Sequence, residues 1–413
     1  MRMKLNKSSQ LVLVSAAGLL AASLVTACSQ FTETKTVDFV YVASSRAAGV
    51  NSYGEINIFE INSSSGKMRQ IPASPVPSGG RNPVSEAVTT DYSSLFVANH
   101  DDNSIVQFVI GTDGKLYSYN TVNTPGIFPV SIATSTDNLF VADAYQPLPT
   151  CSTASPCSGS IAVFPLTAAT STVPTALGPP AVNASISAQY WPLTVSTNPS
   201  HIIVPTAVSV LPSGNFVFVS AYDSSVTPHV GYVFAFAVGT GGVLSPVAGS
   251  PFSAGIQPSA LATDAGGNYL YATDFTGNVI LGYSVSSGVL TPLSGSPYPA
   301  GTAPSAIAVS RAYNYAFVTS STDSTVTVYS VSNGVLTRLS SYAVGAQPVA
   351  IGVDPSTQRY IFTANYLGNN VSGFELQKAD GTLFLSQGTP FPSNAQPTAV
   401  AAIPHNGTGG GIQ

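Results

Sequence analysis

The sequence predicts an all-β fold, a ring of seven four-stranded antiparallel sheets: a seven-bladed β-propeller. Three observations carry this. A proline-led phrase recurs, as PSALATDAGGNYLYATD from Pro258 and PSAIAVSRAYNYAFVTS from Pro304. Each recurrence is followed by two further short β-rich runs. The two ends of the chain hold complementary parts of one more unit.

The anchoring prolines stand at 83, 129, 205, 258, 304, 348 and 397, with spacings of 46, 76, 53, 46, 44 and 49. Periods of this size mark a propeller or a solenoid. Within a unit the first strand reads like SAIAV, modestly apolar and small. The second reads YLYAT or FVFVS. The third is a run such as VILGYSV, TVTVYSV, IVQFVI or YVFAFAV, and the fourth is short, as in GVLTPLS or GVLTRLS. β-Branched and aromatic residues fill the runs, and Gly, Asn, Asp and Ser separate them. No window after the N-terminal leader has a helical period. Four antiparallel strands in 40–50 residues make one blade.

Six full units begin at 83, 129, 205, 258, 304 and 348. Ahead of them, FVYVAS at 39–44, INIFEI at 56–61 and GKMRQIPA at 66–73 match a second, third and fourth strand. PTAVAAIP at 397–404 is a first strand with nothing after it. Together the fragments make a seventh blade, with the C-terminal strand inside the N-terminal one, so the propeller spans 39–404. Closure removes the free edges of an open array. A solenoid would instead want polar caps at its ends.

The first 27 residues are of another kind. Arg2, Lys4 and Lys7 precede the apolar run LVLVSAAGLLAASLV at 11–25, the pattern of a secretory signal. The break Val25-Thr26-Ala27-Cys28 resembles the bacterial lipobox, which implies a diacylglycerol on Cys28 as the new N-terminus. An ordinary signal peptide or a single membrane helix is the alternative, and the run is short for a span. The expectation is therefore a lipoprotein of the cell envelope, on the outer membrane or its periplasmic face or outside the cell. Residues 28–38 would be lipidated cysteine and tether, and 405–413 tail.

Composition narrows the partners. Of 413 residues 44% are hydrophobic and 8% charged, with net charge −5. Without the leader, 10 basic and 18 acidic residues leave −8. No basic run lies outside the leader, so nucleic-acid binding has no electrostatic support. An acidic domain should not lie flat on anionic lipid. Besides Cys28 there are two cysteines, Cys151 and Cys157, flanking STASP. In an oxidising compartment they are expected to form a disulfide. With no histidines nearby they make a poor metal site. No cofactor motif is visible, and nothing in the sequence asks for more than a monomer.

Where the chain inserts residues bears on function. Joins between strands one and two, and between three and four, share one face and are short: TDAGGN, LPSGN, SRAYN, SSG, SNG. The large insertions fall on the other face, at 45–54, 144–160 and 222–231, and in the connection expected at 170–204. Binding residues favour loops on a rigid scaffold, although a face can also simply tolerate insertions. Trp191, beside Tyr190 and Pro192, lies in the longest insertion. It is a candidate to meet an aromatic or sugar ring, or the small core of that insertion.

The second strands end at this elaborated face and deliver Asn99, His100, Asp101, Asp143, Asp223, Asp274 and Asn365. Asn and Asp there satisfy turn backbone groups, and they are candidate ligand contacts as well. His100, followed by Asp101 and Asp102, is a candidate general base. Arg81, entering blade two on the same face, could hold a carboxylate or phosphate. His201 and His229 lie in insertions on that face. No dinucleotide, P-loop, zinc-protease or nucleophile-elbow motif occurs.

The phrases YLYATD, YIFTANYLGNNVSGFEL and LFVANHDDNSIVQFVI, with GVLTPLSGSPYPAG ahead of PSAIAV, resemble the YVTN-type repeat of the lactonase-like seven-bladed propellers. The resemblance covers roughly 39–404. It implies a propeller that in some members hydrolyses 6-phosphogluconolactone and in others cyclises muconate-type acids. Enzymatic members carry Pro-Arg-His at the start of a first strand. Here the corresponding starts read Pro258-Ser259-Ala260, Pro304-Ser305-Ala306 and Pro205-Thr206-Ala207. For the glutamate and arginine that the family places near the channel, Glu86 and Arg81 are the nearest substitutes. Two functions follow as expectations. One is a lipid-anchored binding module for an envelope protein, peptide or glycan. The other is a lactone hydrolase using His100, Asp101 and Arg81.

Overall fold

The computed structural model describes residues 36–45, 52–62, 64–170, 173–195, 200–394 and 396–405. The expected leader at 1–27 and Cys28 lie outside these residues. So does most of the blade-one insertion at 45–54.

Seven antiparallel sheets form, each from four strands in sequence order except the first. There, Pro397–Pro404 is innermost, followed outward by Thr36–Ser44, Glu55–Asn62 and Met68–Gln70. The closing pair runs in register from Asp38 opposite Pro404 to Ser44 opposite Pro397. The seven-bladed ring and its C-terminal seal are as the repeat predicts. Blade one begins earlier than expected, at Thr36. His405, expected as tail, sets its ring edge-on to Phe39 at 5.2 Å.

Each second strand is flanked by blades on both faces, so it reads as a continuous apolar run rather than an alternating one. Ser94–Asn99 and Tyr360–Asn365 are buried at every residue. The core is not central. Seven hydrophobic clusters appear among the described residues, one between each pair of neighbouring blades. The innermost strands keep small residues because they border the channel.

The repeated proline has a structural reason. Just after it the innermost strand carries a bulge, as between Pro258 and Ala260 and between Pro304 and Ala306. The bulged residue is often Ser or Thr, and its hydroxyl ties blades together. Ser259 donates to the Pro304 carbonyl at 2.7 Å, Ser305 to that of Pro348 at 2.6 Å, and Thr398 to that of Pro83 at 2.8 Å. The third of these bonds crosses the closure.

The stretch 170–204 departs from expectation. It was expected to be the connection from blade three to blade four. Two short pieces of it are instead the outer strand of blade three. Ala176–Leu177 pairs with Leu166 and Thr167, and Trp191–Pro192 pairs with Ser160 and Ile161. Blade five has the same arrangement in miniature, where Val289–Pro292 and Tyr298–Pro299 both pair with Val279–Ser286. The insertion thus sits on the outer edge of blade three, and blade four begins at Ile203.

Candidate functional site

On the elaborated face, Asn99 ends the second strand of blade two and a short turn, His100–Asp102, follows. His100 N–H bonds to the Asn82 carbonyl at 3.0 Å, which brings this turn against the chain entering the blade. Three predicted residues therefore meet. His100 Nδ1 lies 2.7 Å from Asp101 Oδ1, and Asn82 donates to the same oxygen at 3.2 Å. Arg81 donates from Nε to Asp102 Oδ1 at 2.6 Å, and from its backbone N–H to Asp102 Oδ2 at 2.7 Å. Burial pushes the Asp101 carboxyl up, but hydrogen bonds from His100 and Asn82 and the charge of Arg81 outweigh it and hold it below the usual range. With Nδ1–H donated to Asp101, the lone pair of His100 Nε2 is available to take a proton.

Sequence reasoning missed the shelf under this histidine. Phe128 stacks on His100, with centroids 4.6 Å apart and planes 8° from parallel, and Tyr145 meets Phe128 edge-on at 5.9 Å. The signal was available: Phe128 precedes a repeat proline, where other blades have Asn82, Ala303, Gln347 and Gln396. All five have positive φ, so none of these side chains points along an ordinary strand.

A second histidine–carboxylate pair lies two blades on. His201 Nδ1 is 2.5 Å from Asp223 Oδ2, and Asp223 also accepts from the N–H and hydroxyl of Ser225. Burial opposes ionisation of Asp223, but the bonds from Ser225 and His201 prevail and lower its pKa. The ring of His229 lies 5.0 Å from that of Tyr222. Between the two pairs sits the blade-three loop, closed by the Cys151–Cys157 disulfide with a Cα separation of 5.5 Å. Ser158 fastens this loop to the His201 carbonyl at 3.1 Å. Blades two to four thus share one rim holding three imidazoles, the rings of Phe128, Tyr145 and Tyr222, and a stapled loop. Among the described residues no three His, Cys, Asp or Glu side chains gather into a metal-binding group.

The remaining candidates are placed differently. Asp143 is fully buried and accepts from Thr124 Oγ1 at 2.7 Å and from Gly126 N–H at 3.2 Å; burial raises its pKa to about 7 against those bonds. Asp274 accepts from the backbone of Ile256, Gln257 and Gly277. Asn365 bonds to Asn370 and Ser372. These groups hold the loops of their blades and present no free face. Trp191 is 5% exposed and packs between blades three and four. It occupies the blade position of Phe252, Tyr298 and Phe391, as its pairing with Ile161 shows. That makes it blade core, with Tyr190 half-buried beside it.

A cavity opens elsewhere. The channel widens at the plain face into a space of about 870 Å³, bordered by six of the seven blades. Short turns leave this mouth open. Glu86 is on its wall, and both of its carboxyl oxygens are buried without a hydrogen-bond partner. Burial raises its pKa well above the usual carboxylate range.

Comparison with known proteins bears on the family. Residues 283–397 match the family described as "Lactonase, 7-bladed beta-propeller". Among solved structures, a candidate 6-phosphogluconolactonase from Bacteroides fragilis is similar at 18% identity and TM-score 0.71, over 90% of this chain and 99% of that one. The periplasmic gluconolactonase PpgL of Pseudomonas aeruginosa is similar at 17% identity and TM-score 0.69, over 89% and 99%. Hydrazine synthase of Kuenenia stuttgartiensis is similar at 13% identity and TM-score 0.52, over 84% and 99%. No curated protein matches the chain. The resemblance to lactonase-like propellers read from the repeats is borne out. At these identities the structural likeness is one of fold, which proteins of unlike chemistry share.

Proposed function

We propose that this protein is a recognition module, tethered by lipid on Cys28, that docks an envelope protein, peptide or glycan on its elaborated face. The observation that carries this is the rim across blades two to four. There the disulfide-closed loop, its tie to His201 and the stacked His100–Phe128–Tyr145 group make an ordered, mixed aromatic and polar surface. Chain direction supports it. Thr36–Ser44 runs from the plain face to the elaborated one. Eight residues from Cys28 to Thr36 reach at most about 29 Å when fully extended. A lipid on Cys28 would keep the plain face near the membrane and turn the elaborated rim away from it. The test compares the wild-type chain with one whose residues 147–156 are replaced by two glycines, each offered purified envelope extract and peptidoglycan fragments. Capture by the wild type alone supports the reading. Equal capture by both chains overturns it.

A second reading, lactone hydrolysis, rests on the His100–Asp101 contact together with the family match at 283–397. His100 Nε2 would take a proton from water as its oxygen attacks the ring carbonyl. The ring C–O bond then breaks, and the departing alkoxide takes the proton back to give the hydroxy acid. Arg81, half exposed beside Asp102, would steady an anionic substituent. Loss of 6-phosphogluconolactone and of a panel of sugar and aromatic lactones is measured with His100→Ala and Arg81→Gln in parallel. Turnover that both substitutions abolish supports this reading, and turnover indifferent to both removes these residues from it.

A further inference from the structure

We propose that the channel mouth on the plain face is a second binding site, for a small hydroxylated di- or tricarboxylate. The site is opposite the rim described above and independent of it. Its volume, about 870 Å³, is within the range of ligand pockets, roughly 300–1,000 Å³. Two cations border it, Arg311 and Lys378. Arg69, Arg81, Lys115 and Arg359 each have a carboxylate partner. Among the described residues neither Arg311 nor Lys378 has one.

Both cations are exposed at the mouth, and neighbouring turns fix the backbone of Arg311 and give the Lys378 ammonium an aromatic shelf. Gln358 is buried in the blade-seven turn, and its side-chain oxygen accepts the Arg311 backbone N–H at 2.8 Å and the Ser310 hydroxyl at 3.2 Å. Its amide donates back to the Asp354 carbonyl at 2.9 Å. This clamps the turns of blades six and seven and sets the base of Arg311. The ammonium of Lys378 sits 4.8 Å from the centre of the Tyr313 ring, whose hydroxyl reaches the Thr357 carbonyl at 3.4 Å. Of the nearby acids, Asp91 takes the Thr89 and Ser93 donors, Asp354 those of Thr357 and Tyr360, Asp264 the Tyr269 N–H and Asp380 the Thr382 N–H. None of them makes an ion pair with either cation among the described residues. Glu86, on the same wall, is pushed towards its neutral form by burial.

The chemistry that fits is two or more carboxylates for the two cations, on a body short enough for the cavity, with hydroxyls to meet Thr90 and Thr263 on its wall. A planar guanidinium favours bidentate carboxylate contact, and an ammonium on an aromatic shelf acts as a point charge.

Titration calorimetry on the full chain at low salt tests this, with citrate and malate as probes and inorganic phosphate and glycerol as comparisons. The expected result is binding of citrate and malate that weakens as salt is raised, falls at least tenfold in Arg311→Gln and in Lys378→Gln, and is unchanged in Arg338→Gln. Arg338 carries an equal charge on an exposed outer strand. No heat from citrate or malate at millimolar concentration would overturn the proposal. So would binding that survives both mouth substitutions. Phosphate binding as tight as citrate would also overturn it, because it would show unspecific charge attraction.

Discussion

Replacing Glu86 with isoleucine should make the ring more stable, and increasingly so as pH rises. Three residues after each repeat proline the other six blades place Ile132, Val208, Leu261, Ile307, Ile351 and Val400. Such residues pack against the preceding blade, as Ile307 does in the cluster holding Tyr271 and Ile280. At the same step Glu86 puts two unpartnered carboxyl oxygens beside Tyr41 of blade one, whose phenol burial pushes up and the Glu86 charge pushes up further. An unsatisfied buried polar group costs about 1–3 kcal/mol, and burying a full aliphatic side chain contributes about 1.5–3 kcal/mol. A net gain of roughly 2–4 kcal/mol near neutrality follows once repacking is allowed for. The pH dependence has a definite sign. The folded pKa of Glu86 is raised above its ordinary 4.5, so between these values the folded state holds more protons than the unfolded one. Wild-type stability from this group is therefore full below about pH 4.5 and declines towards the folded value, at up to about 1.4 kcal/mol per pH unit. Asp38 and Asp143, each raised to about 7 chiefly by burial, tilt the curve the same way. The informative quantity is thus the difference between wild type and variant. Urea unfolding at pH 5, 6, 7 and 8, followed by fluorescence of the lone Trp191, supplies it. The gap should widen with pH, and Glu86→Gln should flatten the slope without the packing gain. Parallel pH profiles for wild type and Glu86→Ile, or an isoleucine variant that unfolds at lower urea, would refute the reasoning.

Three further outcomes follow from the same structure. Trp191→Ala should cost about 3–5 kcal/mol, as a large buried aromatic does, read as a lowered midpoint in thermal circular dichroism. Ser305→Ala removes the hydroxyl that bridges to Pro348 and Thr319 and should cost about 1–2 kcal/mol; an unchanged midpoint would show that these blade ties are dispensable. A chain ending at Gln396 lacks the innermost strand of blade one. It should lose its cooperative transition and associate, because the edge of Thr36–Ser44 is then bare, and light scattering against the intact chain would show it.

The blades could be read because each repeats the others, so a phrase ambiguous in one unit is settled by six more. Even the termini were legible, since Pro397–Pro404 matches a first strand and Phe39–Ser44 a second. The same comparison would have shown Trp191 to be core. Its Trp-Pro stands where other blades have Tyr298-Pro299, Phe391-Pro392 and Val76-Pro77, but the length of the insertion hid the match. The candidate site was partly legible. Arg81, His100 and Asp101 were singled out as neighbours on one face, and they do meet. Phe128 under the imidazole was not foreseen, because its placement depends on a positive φ and not on composition. The plain-face mouth leaves no mark in the sequence, because a channel end is open where loops are short. Glu86 broke the aliphatic column visibly, yet a single sequence position says nothing of whether a carboxyl finds a partner.

The strand that seals blade one is made last. Thr398 meets the Ala43 carbonyl across 355 residues of chain. By loop-closure entropy such a separation costs about 5 kcal/mol, with only about 0.6 kcal/mol more for each doubling, so the finished ring tolerates it. The cost falls on time. Until residue 404 has emerged, Phe39, Val40, Tyr41 and Val42 lack the neighbour that covers their open edge, and long-range pairing of this kind is slow. Six blades can assemble as the chain is made, and the first must wait for the last eight residues of the ring.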